Sequence, residues 1–202
     1  MKKITTLILA VGLSGCTAHW TNIDVKPDNQ VSVSRYSHSS DCVAIMDDLH
    51  VTSNGQAVDA NEAFQKRFMT NLKDTHMFSK VAAETPDAQH DKLVNFALSV
   101  AENQNTNQGA NAAKGFFIGA SLYLLTPVLP LSYDFSQDVM LNVTRSDGRS
   151  KRYTANGKGE ARYHLFGNAA MAGSEVRGQI INNNLTSLIN QIKQDADFIC
   201  GI

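Results

Sequence analysis

The sequence predicts an α+β domain: a small mixed or antiparallel sheet with two main helices packed on it, plus a short apolar insert. Short apolar runs typical of strands alternate with two segments that carry apolar residues at helical spacing. An Asp-Gly pair between two strand-like arms indicates a hairpin. With 202 residues, 43% of them hydrophobic, the chain is long enough to bury one core.

Residues 1–15 have the features of a secretory signal peptide. Lys2 and Lys3 precede an uncharged stretch that is too short to span a bilayer of about 30 Å. The Leu-Ser-Gly-Cys sequence that ends at Cys16 resembles the lipobox of bacterial lipoproteins. The resemblance implies cleavage before Cys16, which carries diacylglycerol and palmitate and anchors the mature chain. The alternative is an ordinary signal peptide with a coincidental cysteine.

In bacterial lipoproteins, the residue after the lipidated cysteine helps to determine whether the protein stays at the inner membrane or reaches the outer membrane. In lipoproteins an Asp at this position retains the protein at the inner membrane, whereas this chain has Thr17. The resemblance therefore implies an outer-membrane lipoprotein whose domain faces the periplasm or the cell surface. Residues 16–40 are polar and rich in serine, so we expect a lipid anchor and a tether, with one short strand at Val31–Tyr36.

Cys42 and Cys200 are the other two cysteines, and the predicted compartment is oxidising. An even pair in an exported chain indicates a disulfide. It would close a loop across almost the whole predicted domain, 41–202, for which chain entropy gives at most about 4 to 5 kcal/mol. Two buried free thiols are the alternative.

The first half of this domain has the predicted order β, α, β, β. Cys42 opens a short apolar strand that we expect to end at Asp47 and Asp48. Asp59 and Glu62 have the spacing of a capping box, which predicts a helix over about 60–75. Two further strands are expected, Phe78–Ala82 and Leu93–Val100, separated by a loop around Pro86.

An uncharged insert follows a polar segment. Residues 103–111 are expected to form an exposed loop, whereas 115–133 contain no charged side chain. Pro127 and Pro130 argue against a membrane-spanning helix because they would break it after about 18 Å. A helix packed on its own sheet is one alternative. We favour an element that faces a partner or dips into a membrane, since so large an apolar surface is unusual on a monomer.

The insert, 115–131, therefore supplies the candidate residues for hydrophobic interaction. They share large apolar side chains, and they are Phe116, Phe117, Leu122, Tyr123, Leu124 and Leu125.

The last third predicts a hairpin and a long helix. Strands are expected over 138–144 and 150–163, on either side of a turn at Asp147 and Gly148, because glycine supplies the positive φ that a two-residue turn requires. Apolar residues then recur at helical spacing and predict an amphipathic helix over about 174–195, which ends shortly before Cys200.

Several kinds of chemistry have no support in the sequence. A net charge of −1 supplies no basic surplus for nucleic acid. Asp47, Asp48 and His50 form the densest polar group, but a solvated turn explains them better than a metal site does. No catalytic motif or phosphate-binding loop occurs, so we expect neither an enzyme nor a cofactor.

The predicted order of elements over about 41–195 resembles the α+β fold of three groups: the curli-secretion lipoprotein, the amino-terminal domain of TolB and the lipoprotein of Pel polysaccharide export. The uncharged insert is similar to the hydrophobic inserts of TraT-type surface-exclusion lipoproteins. These relatives imply oligomers at the outer membrane. The sequence thus predicts a non-enzymatic lipoprotein that contacts an envelope protein or its own copies, in assembly, export or surface exclusion. The alternative is a monomeric periplasm-facing inhibitor or immunity-type module whose insert is core.

Overall fold

The structure is a computed structural model that describes residues 20–24, 40–59, 61–84, 92–126, 128–165 and 169–201. The predicted signal peptide, the lipid anchor Cys16, the strand at 31–36 and the loop around Pro86 lie outside the described residues.

The described residues form strands and helices of very different lengths. The strands are β1 Trp20–Asp24, β2 Ser40–Ser53, β3 Gln56–Ala57, β4 Phe78–Ala82, β5 Leu93–Asn105, β6 Leu131–Arg145 and β7 Ser150–Tyr163. The helices are α1 Asn61–Asp74, α2 Gln108–Ala120, α3 Ala169–Gln194 and α4 Ala196–Cys200.

The predicted α+β class with a mixed sheet is confirmed. In the described parts of the chain, seven strands form one sheet in the order β1-β7-β6-β5-β2-β3, with β4 also paired to β2. β2 runs parallel to β4 and β5, whereas β2–β3 and β1–β7 are antiparallel. Parallel strands tend to be buried on both faces. In agreement, all residues from Cys42 to Met46 are buried.

The first strand does not end where the acidic pair predicted. β2 continues to Ser53, because the register with β5 shifts between Met46 and Asp48 and leaves Asp47 as an extra residue. Such a bulge turns a side chain outward without ending the strand. Asp47 and Asp48 are accordingly exposed within a continuous strand.

The boundaries around the polar segment 103–111 also differ from the prediction. β5 continues to Asn105, and α2 starts at Gln108 inside the predicted loop. β6 begins at Leu131 rather than 138, and α3 begins at Ala169 rather than 174. Strand pairing uses backbone groups, so these extensions need no apolar side chain.

The amino-terminal tether contains a strand that the sequence did not predict. β1 pairs with β7 from Trp20 opposite Arg162 to Asp24 opposite Lys158. Its five residues have no apolar run, which is the signal that marked the other strands.

The chain divides into two compact units, each with its own apolar cluster. The smaller unit comprises the described parts of 1–25, 104–136 and 158–180. Its core is Phe135, Ala161, Ala172, Val176 and Ile180, with Tyr133 packed against them.

The larger unit comprises the described parts of 26–103, 137–157 and 181–202. The ring of Phe96 makes edge contacts with Phe68 and Phe78 at its centre, with centroids 6.1 and 5.7 Å apart. The predicted helix over 60–75 is confirmed as α1, which packs against β2 and β4.

The predicted disulfide is present in this larger unit. Cys42 of β2 and Cys200 at the end of α4 are bonded, with Cα atoms 5.6 Å apart. Both residues are buried, and α4 packs against β2. The bond therefore joins the first long strand to the last helix.

Candidate functional site

An exposed apolar cluster occupies the last part of α2 and the segment that follows it in the smaller unit. We call it the apolar tip: Phe116, Phe117, Leu122, Tyr123, Leu124, Leu125 and Val128. The exposed fractions of Leu122, Leu124 and Phe116 reach 82%, 75% and 71%. Single exposed apolar residues are ordinary, but a contiguous group marks an interaction surface.

All six insert residues that the sequence nominated are exposed, and the rings of Phe116 and Phe117 make an edge contact with centroids 5.8 Å apart. Val128 is the seventh member, which the sequence did not single out. Val128 lies within the uncharged segment 115–133, so this segment could have identified it.

Polar side chains hold the first part of α2 against the start of β6. The Asn111 amide donates to the Ser132 carbonyl at 2.8 Å and accepts the Ser132 backbone N–H at 3.0 Å. Lys114 Nζ donates to the carbonyl of Pro130 at 2.9 Å. Ile118, further along α2, is fully buried. One face of the helix is thereby fixed, which leaves Phe116 and Phe117 exposed.

The end of α2 is closed by backbone hydrogen bonds in a Schellman pattern. The N–H of Tyr123 donates to the Ile118 carbonyl at 2.9 Å, and the N–H of Leu122 donates to Gly119 at 3.0 Å. This pattern requires a left-handed residue, and Leu122 has a φ of +50° while Tyr123 has a φ of +67°. Two large apolar residues thus occupy backbone positions that usually select glycine.

The base of the tip is joined to the end of β7. Thr126 is buried, and its carbonyl accepts a hydrogen bond from His164 Nδ1 at 2.9 Å. His164 directly follows Tyr163, the last residue of β7. β1 also begins at this end of β7, because Trp20 pairs with Arg162.

The side chains of the tip carry no charge, and they present an apolar surface for contact. No helix in the described residues is both long and apolar enough to cross a membrane. α2 ends at Ala120, before either proline, so this helix covers residues 115–120 of the insert.

A buried polar cluster in the larger unit was missed by the sequence analysis. Gln137 donates to a carboxylate oxygen of Glu102 at 3.1 Å, and Asn184 donates to the side-chain oxygen of Gln137 at 3.0 Å. All three residues are at most 2% exposed. Glu102 continues the alternating buried positions of β5, and this periodicity is the signal that could have revealed it.

The acidic group weighed as a metal site does not form one. Asp47, Asp48 and His50 are all exposed on β2. In the part of the chain that the structure describes, no three metal-ligating side chains lie close enough to hold an ion.

A shallow cavity of about 400 Å³ also lies in the smaller unit. Its lining consists of Gln104, Thr106, Tyr133, Tyr163, Gly173, Ser174 and Arg177. A Cβ added at Gly173 would lie 3.5 Å from the Tyr133 ring, so the ring packs directly on the helix backbone. The described lining contains a single charged residue and no carboxylate.

A charged pair lies at the surface of the larger unit. Lys151 Nζ lies 2.6 Å from Asp195 Oδ2 and holds the pKa of that carboxyl below its usual value. Burial, with a smaller contribution from the charge of Asp195, raises the pKa of Tyr153 far above its usual value. Tyr153 therefore stays neutral at physiological pH.

Comparisons with known proteins give distant structural neighbours only. No family model and no curated protein sequence matches this chain. A protein described as a homologue of neuraminyllactose-binding hemagglutinin from Helicobacter pylori is 10% identical, with a TM-score of 0.39 over 80% of this chain and 83% of that one.

Two more neighbours are rare lipoprotein B from Shewanella oneidensis and a PelC dodecamer from Paraburkholderia phytofirmans. The first is 11% identical, with a TM-score of 0.35 over 75% of this chain and 97% of that one. The second is 12% identical, with a TM-score of 0.32 over 85% of this chain and 98% of that one. At these TM-scores the similarities carry no argument about function.

Proposed function

We propose that this protein is a lipid-anchored, non-enzymatic protein of the outer membrane that acts through contacts between its apolar tip and another component of the envelope. Such a contact would act in envelope assembly, in export or in surface exclusion. The exposure of the tip is the observation that carries the proposal.

The exposed side chains favour a contact surface over a core insert. Covering a leucine or phenylalanine side chain contributes about 1.5 to 3 kcal/mol. The tip exposes five leucine and phenylalanine side chains, together with Tyr123 and Val128, so contact with another surface recovers a large free energy. A monomeric inhibitor whose insert is core would have these side chains buried, so the geometry does not favour that alternative.

The lipid anchor rests on the lipobox that ends at Cys16. Acyl chains give about 0.8 kcal/mol per buried methylene, so several chains hold a protein stably at a membrane. The anchor confines the tip to the vicinity of the bilayer and raises its effective concentration towards other envelope components.

Metabolic labelling with radioactive palmitate tests the anchor. Wild-type chain should incorporate label, and the Cys16→Ser variant should incorporate none. The double variant Cys42→Ala, Cys200→Ala is the matched control and should label as well as wild type, because Cys16 is then the one remaining cysteine. Undiminished label in Cys16→Ser would falsify the anchor.

Photo-crosslinking in intact cells tests the contact. A photoreactive amino acid in place of exposed Leu124 should form adducts with an envelope lipid, an envelope protein or a second copy. The matched control places it at Gln108, which is exposed at the opposite end of α2. Equal adduct yields at the two positions would remove the tip as the contact surface.

A further inference from the structure

We infer that the component that covers the apolar tip is the lipid bilayer itself, so that the smaller unit is attached to one membrane at two points, the acyl chains of Cys16 and the tip. This inference rests on the proposed lipid anchor and specifies the partner of the proposed contact surface.

The start of β1 and the tip lie at the same end of the smaller unit. Trp20 is paired with Arg162 near the end of β7, and His164 follows two residues later. His164 is hydrogen-bonded to Thr126 at the base of the tip. Paired strands lie about 5 Å apart and two strand residues span about 7 Å, so Trp20 and the base of the tip are close neighbours.

The acyl chains are confined to this same end. Cys16 precedes Trp20 by four peptide steps, and an extended chain of that length reaches at most about 14 Å. A membrane that holds the sulfur of Cys16 must therefore lie within that distance of Trp20. The link between Cys16 and Trp20 is therefore too short to let the smaller unit, which contains the tip, move far from the bilayer surface.

The chemistry of the tip suits a lipid surface. Its side chains are aliphatic or aromatic, and residues 115–133 supply no charge that would have to be desolvated. Tyr123 belongs to the residue types enriched at the level of the headgroups. Lys114 precedes the tip in α2, and its ammonium group donates a hydrogen bond to the Pro130 carbonyl. This positive charge next to the tip would attract anionic lipid headgroups.

Depth-dependent fluorescence quenching tests the inference on the full lipidated chain. Trp20 is the one tryptophan, so a Trp20→Phe background permits a single reporter at a chosen site. Leu124→Trp reports from the tip, and Gln108→Trp is the control on the opposite end of α2. Both sites are exposed, so the fold should tolerate either change, and equal thermal unfolding midpoints verify this.

Each variant is reconstituted into vesicles of phosphatidylethanolamine and phosphatidylglycerol, with and without lipids brominated along the acyl chains. We expect the Leu124→Trp reporter to emit at shorter wavelength than the Gln108→Trp reporter. We also expect brominated lipid to quench it several-fold more strongly.

Two results would overturn the inference in distinguishable ways. A blue-shifted tip reporter that brominated lipid does not quench, with a shift that depends on the protein-to-lipid ratio, identifies a second copy as the occupant and leaves the proposed function intact. A tip reporter as exposed to water as the control overturns the bilayer contact and leaves the proposed function to the crosslinking experiment, because these vesicles contain no other envelope protein.

Discussion

Leu122 and Tyr123 adopt a backbone conformation that large side chains rarely occupy. Left-handed geometry costs an L-residue about 1 to 2 kcal/mol, because Cβ approaches the following carbonyl oxygen. The two residues are adjacent, and both expose apolar side chains. Strained backbone concentrates at functional sites, where the surrounding structure sustains it. Neither Leu nor Tyr favours this conformation, so sequence alone could not have located it.

Glycine substitutions separate this backbone strain from the apolar character of the tip. Leu122→Gly removes the Cβ at a positive φ, whereas Leu124 has no positive φ, and Leu124→Gly only adds freedom to the unfolded chain. Leu122→Gly should therefore be more stable than Leu124→Gly by about 1 to 2 kcal/mol. Urea unfolding of both variants measures this difference. Equal stabilities would show that the turn carries no such strain.

The types of residue in the sequence identified the apolar tip, but they did not identify the buried polar cluster of Glu102, Gln137 and Asn184. The nineteen uncharged residues of 115–133 were sufficient to nominate the tip residues between Phe116 and Leu125, because the charge of a residue is known from the sequence alone. Gln137 lies between Phe135 and Val139 in the alternation of β6, and Glu102 follows Val100 in the alternation of β5. Their burial depends on mutual hydrogen bonds with Asn184, and a partner 47 residues away cannot be inferred from local pattern.

At the scale of elements, apolar periodicity located the cores of strands and helices, and it failed at their ends. α1, β4 and the long helix α3 occur where the pattern placed them. The extension of β2 past Asp47 depends on a bulge, which pairing with β5 imposes and which no local residue requires.

α2 illustrates an element that local propensity would reject. Its first residues, from Gln108, include asparagine and two glycines, and these are weak helix formers. Side-chain hydrogen bonds from Asn111 and Lys114 to the carbonyls of Ser132 and Pro130 stabilise this part of the helix, whose residues have low helix propensity. Because these partners lie in another element, the sequence indicated a loop where the structure has a helix.

At the scale of the whole molecule, the larger unit is closed covalently as well as by packing. Cys42 and Cys200 are separated by 158 residues, so the bond constrains nearly all of that unit in the unfolded state. The cysteine count and the predicted compartment anticipated the bond. The division into two units was not anticipated, because the strands and helix α3 contribute residues to both.

Reduction of this disulfide should lower the free energy of unfolding by at most about 4 to 5 kcal/mol, since an open chain has more conformations to lose on folding. Urea unfolding of the full chain with and without reductant measures the difference. The double variant Cys42→Ala, Cys200→Ala should be insensitive to reductant. An unchanged midpoint after verified alkylation of both thiols would contradict this account.

The same bond sets an order of events for an exported chain. In the proposed export the amino terminus is delivered first, so Cys42 emerges on the oxidising side while Cys200, 158 residues later, is still to come. In that interval the only other sulfur available for mispairing is that of Cys16. In the proposed lipidated protein, a thioether to diacylglycerol occupies that sulfur. The proposed lipid attachment would thus protect this sulfur from oxidation and leave Cys42 and Cys200 as the single possible pairing.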